Sequence, residues 1–198
     1  AVRVQRGLQD SALGAFELDG AGMTDSREIL VAVTNEDGYG VPHIFSLPDF
    51  KALPAPTDEK GVISGSSFRG RTLVWALSNA RRPSMSFATT YPADPKSAAP
   101  STHQLTWTDD QGIDFSGFKL PELVKYKAFD GRDIPAFLYL PSDYTKGTTI
   151  PFVVTYHGGP EGQHRPGFDS VTQYLLTRGF GVLLPNVRGS IGYGRDYQ

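Results

Sequence analysis

The chain of 198 residues contains no cysteine. That removes disulfides, thiolate metal sites and cysteine nucleophiles together. It leaves the compartment open, with the cytoplasm as the default expectation. No apolar run approaches the ~20 residues that a membrane-spanning helix needs. Lys and Arg number 19 against 21 Asp and Glu, a formal charge of −2. Neither nucleic acid nor an anionic membrane surface is therefore favoured as a partner. Histidine is scarce: His43, His103, His157 and His164 are scattered without ligand spacing, so no metal site is expected. There is no Walker motif, and Gly192-Tyr193-Gly194 lacks the third glycine of a dinucleotide fingerprint. No cofactor is expected. Turn chemistry is plentiful, with 22 Gly and 15 Pro.

Up to about residue 115 the pattern is one of short strands and turns. Arg27 to Thr34 and Arg71 to Ser78 are strand-like, and each runs into a turn signal, Asn35-Glu36-Asp37-Gly38 and Asn79. Leu30 to Asn35 lies 44 positions before Val74 to Asn79. Val41 to Phe45 corresponds to Arg82 to Phe87, the start of another strand-like run that reaches Thr90. A repeat of about 40–45 residues built from short strands suggests propeller blades. Tyr91 to Thr102 reads as a long loop and Gln104 to Trp107 as a short strand. Phe118-Lys119-Leu120-Pro121 reads as a domain boundary.

Beyond it the texture changes. Leu123 to Phe129 and Ile134 to Leu140 flank Asp130-Gly131, the signal of a hairpin. Pro151 to Tyr156 is continuously apolar, as expected of a strand covered on both faces. It runs into His157-Gly158-Gly159-Pro160-Glu161-Gly162-Gln163. Phe168, Val171, Tyr174-Leu175 and Arg178 have helical spacing, with Gly179 as the stop. Phe180 to Pro185 is the next buried strand, and Asn186 to Arg195 a glycine-rich loop. Strand, glycine-rich turn, helix, strand is the grammar of an α/β domain whose site lies at the strand's C-terminal end. His-Gly-Gly after such a strand is also the pattern of an oxyanion loop in α/β-hydrolases.

Residues 123–198 resemble the prolyl oligopeptidase family of serine peptidases, in its acylaminoacyl-peptidase and dipeptidyl-aminopeptidase branches. The resemblance rests on four motifs in order: Phe129 to Pro135, His157 to Gln163, Gln173 to Phe180 and Pro185 to Arg195. It implies partial β-propeller blades over 1–118, followed by the first part of an α/β-hydrolase domain over 119–198. It also implies cleavage of peptide bonds in short peptides by Ser-His-Asp acyl transfer in a full-length enzyme. The chain holds no Gly-x-Ser-x-Gly elbow. The nucleophile, and the Asp and His that follow it in the family, are expected beyond Gln198, and the chain alone is expected to be inactive. Peptide substrate and the remainder of the same chain are the partners implied, with a homo-oligomer as a further option. A carboxylesterase-like hydrolase and a non-catalytic propeller interaction module remain as alternatives.

Six residues become candidates for the site. The resemblance assigns the backbone N–H of Gly159 to an oxyanion hole, against the plain reading that Gly158 and Gly159 make a tight turn. His157 is expected to hold the loop rather than act as a base. Tyr156 lends a hydroxyl or packs in the core. His164 lines a cleft or is exposed. Arg188 is expected to organise carbonyls or pair with a carboxylate.

Overall fold

The computed structural model describes residues 17–94, 98–159, 161–194 and 196–198. Two four-stranded antiparallel meanders come first. One is built from β1 (Glu17–Met23), β2 (Ile29–Glu36), β3 (Tyr39–Ser46) and β4 (Lys51–Leu53), in that spatial order. The other repeats the plan with β5 (Val62–Arg69), β6 (Thr72–Asn79), β7 (Arg82–Thr90) and β8 (Ser101–Gln104). The sequence repeat therefore corresponds to the second and third strands of each meander. Alternating apolar positions of β2 and β6 enter one cluster of Ile29, Val31, Val33, Ile44, Ile63, Leu73, Trp75, Leu77, Phe87 and Tyr91. Each such side chain contributes about 1.5–3 kcal/mol by leaving water. Trp75 stacks on Phe87 at 4.8 Å, and its buried Nε1 donates to Thr89 Oγ1 at 2.9 Å.

The two repeat asparagines perform the same local task. Asn35 Oδ1 accepts from Gly38 N at 2.9 Å, and Asn79 Oδ1 accepts from Arg81 N at 2.9 Å. Both asparagines are buried strand residues rather than turn residues. The first turn is the residue pair Asp37-Gly38, with φ of +51° and +88°, as a two-residue hairpin with right-handed strand twist requires. The expected strand at Gln104 to Trp107 lies earlier, at Ser101–Gln104. The ladder to β7 begins opposite Thr90, which pairs with Ser101, and Trp107 is left exposed.

A short 3₁₀ turn, Phe115–Gly117, precedes the third sheet. That sheet comprises β9 (Glu122–Lys127), β10 (Asp133–Tyr139), β11 (Phe152–Val154) and β12 (Gly181–Pro185). Its spatial order is β11-β12-β10-β9, with β11 and β12 parallel and the other pairs antiparallel. The β9–β10 connection is a five-residue loop rather than a tight pair, closed by Ala128 N to Arg132 O at 2.8 Å. Helix α1 (Ser170–Thr177) makes the crossover between the parallel strands. Asp169 caps it, its carboxylate accepting from Val171 N and Thr172 N. Phe137, Tyr139, Leu176, Val182 and Leu184 form the second core cluster, joined by Ala80 from the β6–β7 turn.

Two expectations fail here. The strand at 151–156 is only three residues long and is not covered on both faces: Phe152 and Val154 are 49% and 47% exposed. Both share the sheet face of Leu183, which pairs with Val154. The helix also turns a different face inward. Thr172, Gln173 and Leu176 are buried, whereas Val171 and Tyr174 point outward. The inward side carries a polar contact, Gln173 Nε2 donating to Ala80 O at 3.0 Å, beside Leu176 in the core cluster.

Candidate oxyanion loop

The glycine-rich segment leaves the C-terminal end of β11 and turns back toward α1. Thr155 N donates to Leu183 O at 3.1 Å, extending the register one residue past the strand. From there the loop is held by its own side chains. His157 Nδ1 lies 2.9 Å from Gly158 O, and its Nε2 lies 2.8 Å from Ser190 Oγ. Ser190 Oγ also donates to Val187 O at 2.5 Å. The one Ser190 hydroxyl proton is committed to Val187 O, so His157 Nε2 is the donor toward Ser190 Oγ. A Ser–His contact of this length would suit a nucleophile and its base. Ser190, however, is fully buried and its hydroxyl is tied to a carbonyl, so no substrate carbonyl reaches it. His157 joins the two glycine-rich loops.

Gly159 has φ of +143°, and a Cβ there would lie 2.6 Å from Glu161 N. Glycine is required by the turn itself. At Gly158, by contrast, a Cβ would meet nothing within 4 Å, so the loop's outer surface is open to an approaching group. Gly162, not ranked from the sequence, is the tightest point. A Cβ there would lie 2.4 Å from Gly158 O and 2.9 Å from His157 Nδ1. Its carbonyl accepts from Ile191 N at 3.0 Å, a backbone link between the loops.

His164 is neither exposed nor free. Its Nε2 donates to Thr155 O at 3.0 Å, and its ring meets that of His157 edge-on at 5.4 Å. Burial lowers its pKa below the usual 6.5; the Thr155 hydrogen bond opposes this and the charge of His157 adds to it. Tyr156 is 63% exposed beside the loop. Arg188 pairs with Asp130 at 2.5 Å and lies over the Phe129 ring. The Asp130 carboxyl is held below the usual range, first by the Arg132 backbone N–H and then by Arg188.

The hub of the region is Asn186, which is not among the six sequence candidates. It is fully buried. Its Oδ1 accepts from His164 N at 2.7 Å, and its Nδ2 donates to His164 O and Tyr193 Oη at 3.0 and 2.9 Å. Its backbone carbonyl accepts from Tyr197 Oη at 2.6 Å. One side chain thus closes both ends of the His164 peptide against the second loop. Its position directly after β12 was the available signal, since a buried amide at a strand end must find partners. Among the described residues no group of three or more His, Cys, Asp or Glu could hold a metal ion.

No family model matches the chain. It is 26% identical over 193 residues to the Bacillus subtilis peptidase YuxL, covering 96% of this chain and 28% of that one. The acylamino-acid-releasing enzyme of Sus scrofa is 37% identical over 76 residues, 38% of this chain and 10% of that protein. A Mycobacterium tuberculosis puromycin-hydrolyzing peptidase superposes with a TM-score of 0.74 at 20% identity, covering 89% of this chain and 26% of that one. A prolyl endopeptidase structure gives 0.73 at 16% identity, over 93% and 26%. The chain spans about a quarter of the length of relatives that match it throughout. It is related in sequence, and alike in fold, to peptidases of the prolyl oligopeptidase family.

Proposed function

We propose that residues 119–198 supply the oxyanion loop and first strands of a serine peptidase's α/β-hydrolase domain, and that residues 1–118 are blades of the β-propeller before it. The full-length enzyme would cleave peptide bonds in short peptides by Ser-His-Asp acyl transfer. The reading is carried by the glycine-rich loop at the end of β11. There Gly159 is fixed in a conformation closed to other residues, while the neighbouring Gly158 surface is unobstructed. A backbone N–H presented this way, with no reorganisation at the moment of reaction, can stabilise a developing oxyanion. One such donor is worth about 3 kcal/mol in the transition state. Tyr156 lies beside the loop as a cleft residue. His157 and His164 support it, and Arg188 supports the neighbouring loop.

The chain's own serines do not complete the machinery, because acyl transfer needs an exposed hydroxyl within reach of a base. Fluorophosphonate labelling followed by intact mass tests this directly. The expected result is no adduct on the 198-residue chain and a single adduct on a longer product containing the elbow serine. A stoichiometric adduct on the 198-residue chain would mean that an activated serine is present within it, and the site would have to be reassigned.

A further inference from the structure

The first meander reaches the glycine-rich loop through one turn, and the contacts there are charged, partly buried and convergent. Arg165, two residues past the loop's Gln163, donates from Nε to Gly38 O at 2.8 Å. Its Nη2 pairs with Asp19 Oδ2 at 2.6 Å, both side chains being less than a quarter exposed. Asp19 is not a regular strand residue. The β1–β2 register slips between Leu18 and Gly20, so Asp19 is the extra residue of a β-bulge, a device that re-aims a side chain. Asn35 completes the set. Its Oδ1 holds Gly38 N, and its Nδ2 donates to Gln163 Oε1 at 2.7 Å.

The Asp37-Gly38 turn is itself seated deeply. A Cβ on Gly38 would lie 3.0 Å from the fully buried Phe137 ring and 3.4 Å from His164 O. Tyr39 meets Phe137 edge-on at 5.8 Å. The equivalent turn of the second meander makes different contacts: Ser78 Oγ accepts from Phe168 N at 2.9 Å, and Ala80 O accepts from Gln173 Nε2. The repeat thus delivers one turn to the loop and the other to α1. Two corresponding turns have become two separate attachments.

We propose that Arg165 and Asn35 are positioning residues through which the first meander holds the glycine-rich loop in its pose, the Gly159 amide being presented only while the β2–β3 turn is seated. The functional consequence rests on the oxyanion reading above; the clamp itself does not. Arg165 reaches a carbonyl and a carboxylate at once, which lysine's single point charge cannot reproduce. A bulge-aimed carboxylate and a shared amide make the loop's order depend on a different sheet, a local equilibrium separable from global unfolding.

Hydrogen exchange on the 198-residue chain tests the clamp without substrate. With Arg165→Ala, the hydrogen-bonded amides of His164 and Ile191, which donate to Asn186 Oδ1 and to the loop's Gly162 O, should exchange about tenfold faster, the scale of one charged hydrogen bond. Those of α1, attached through Ser78 and Ala80, should not change. Arg165→Lys should give a smaller acceleration. The double exchange Asp19→Arg with Arg165→Asp should restore part of the protection, since the ion pair re-forms while the Gly38 contact stays lost, and a loss of packing alone would give no recovery. Unchanged loop exchange in Arg165→Ala overturns the proposal. So does equal acceleration in the loop and α1, or no recovery in the double variant. Failure of the labelling experiment would instead remove the oxyanion reading and leave the clamp standing.

Discussion

At the scale of single residues, the loop is a network of small polar groups in which each member fixes a neighbour's backbone. Asn186 holds both ends of the His164 peptide, and His164 in turn holds Thr155. The depressed pKa of His164 makes this arrangement sensitive to pH. Its neutral form is favoured in the fold, so between its folded value and 6.5 the unfolded chain binds more protons. The stability it contributes is fully present above about 6.5 and falls as the pH drops toward the folded value. Below that value no more is lost from this group. Thermal midpoints measured from pH about 7.5 down to about 5 should therefore decline, and His164→Gln should flatten the decline. An unchanged slope in that variant would place the titrating group elsewhere.

At the scale of elements, helix α1 buries a different face from the one its apolar spacing marks. Val171, Tyr174 and Arg178 have the spacing of a core face, yet Val171 is 64% exposed and Tyr174 62%. The buried side carries Gln173, drawn in by the Ala80 carbonyl, and Leu176 on the sheet. Leu176→Ala should cost about 2–5 kcal/mol in urea unfolding, as a cavity-forming core truncation does. Val171→Ala should stay within about 0.5 kcal/mol. Equal costs would mean that the apolar spacing had identified the packed face after all.

At the scale of the molecule, the third sheet ends in β11, which pairs with β12 alone among the described residues. Phe152 and Val154 lie on its uncovered face, and Tyr156 continues the apolar line. An open, apolar edge invites pairing with another strand. Light scattering of the isolated chain should show association that rises with concentration, and Val154→Lys should reduce it. A monodisperse monomer across that range would mean that the edge is protected.

The sequence alone determined the two central strands of each meander and the order of the motifs, but not β1, β4 or β5. Period-two runs closed by Asn, Asp and Gly specify strands and turns through local sterics, and the 44-residue offset revealed two equivalent meanders. The His-Gly-Gly loop after β11 was legible for the same reason: the turn at Gly159 excludes other residues. Nothing local shows that Asn35 shares its amide with a residue 128 positions away, or that a bulge at Asp19 meets Arg165. Nor does spacing show that the weakly patterned side of α1 is the one inside. Those choices were made by tertiary structure, because buried polar groups must be paired and their partners lie on other sheets, where sequence distance carries no information.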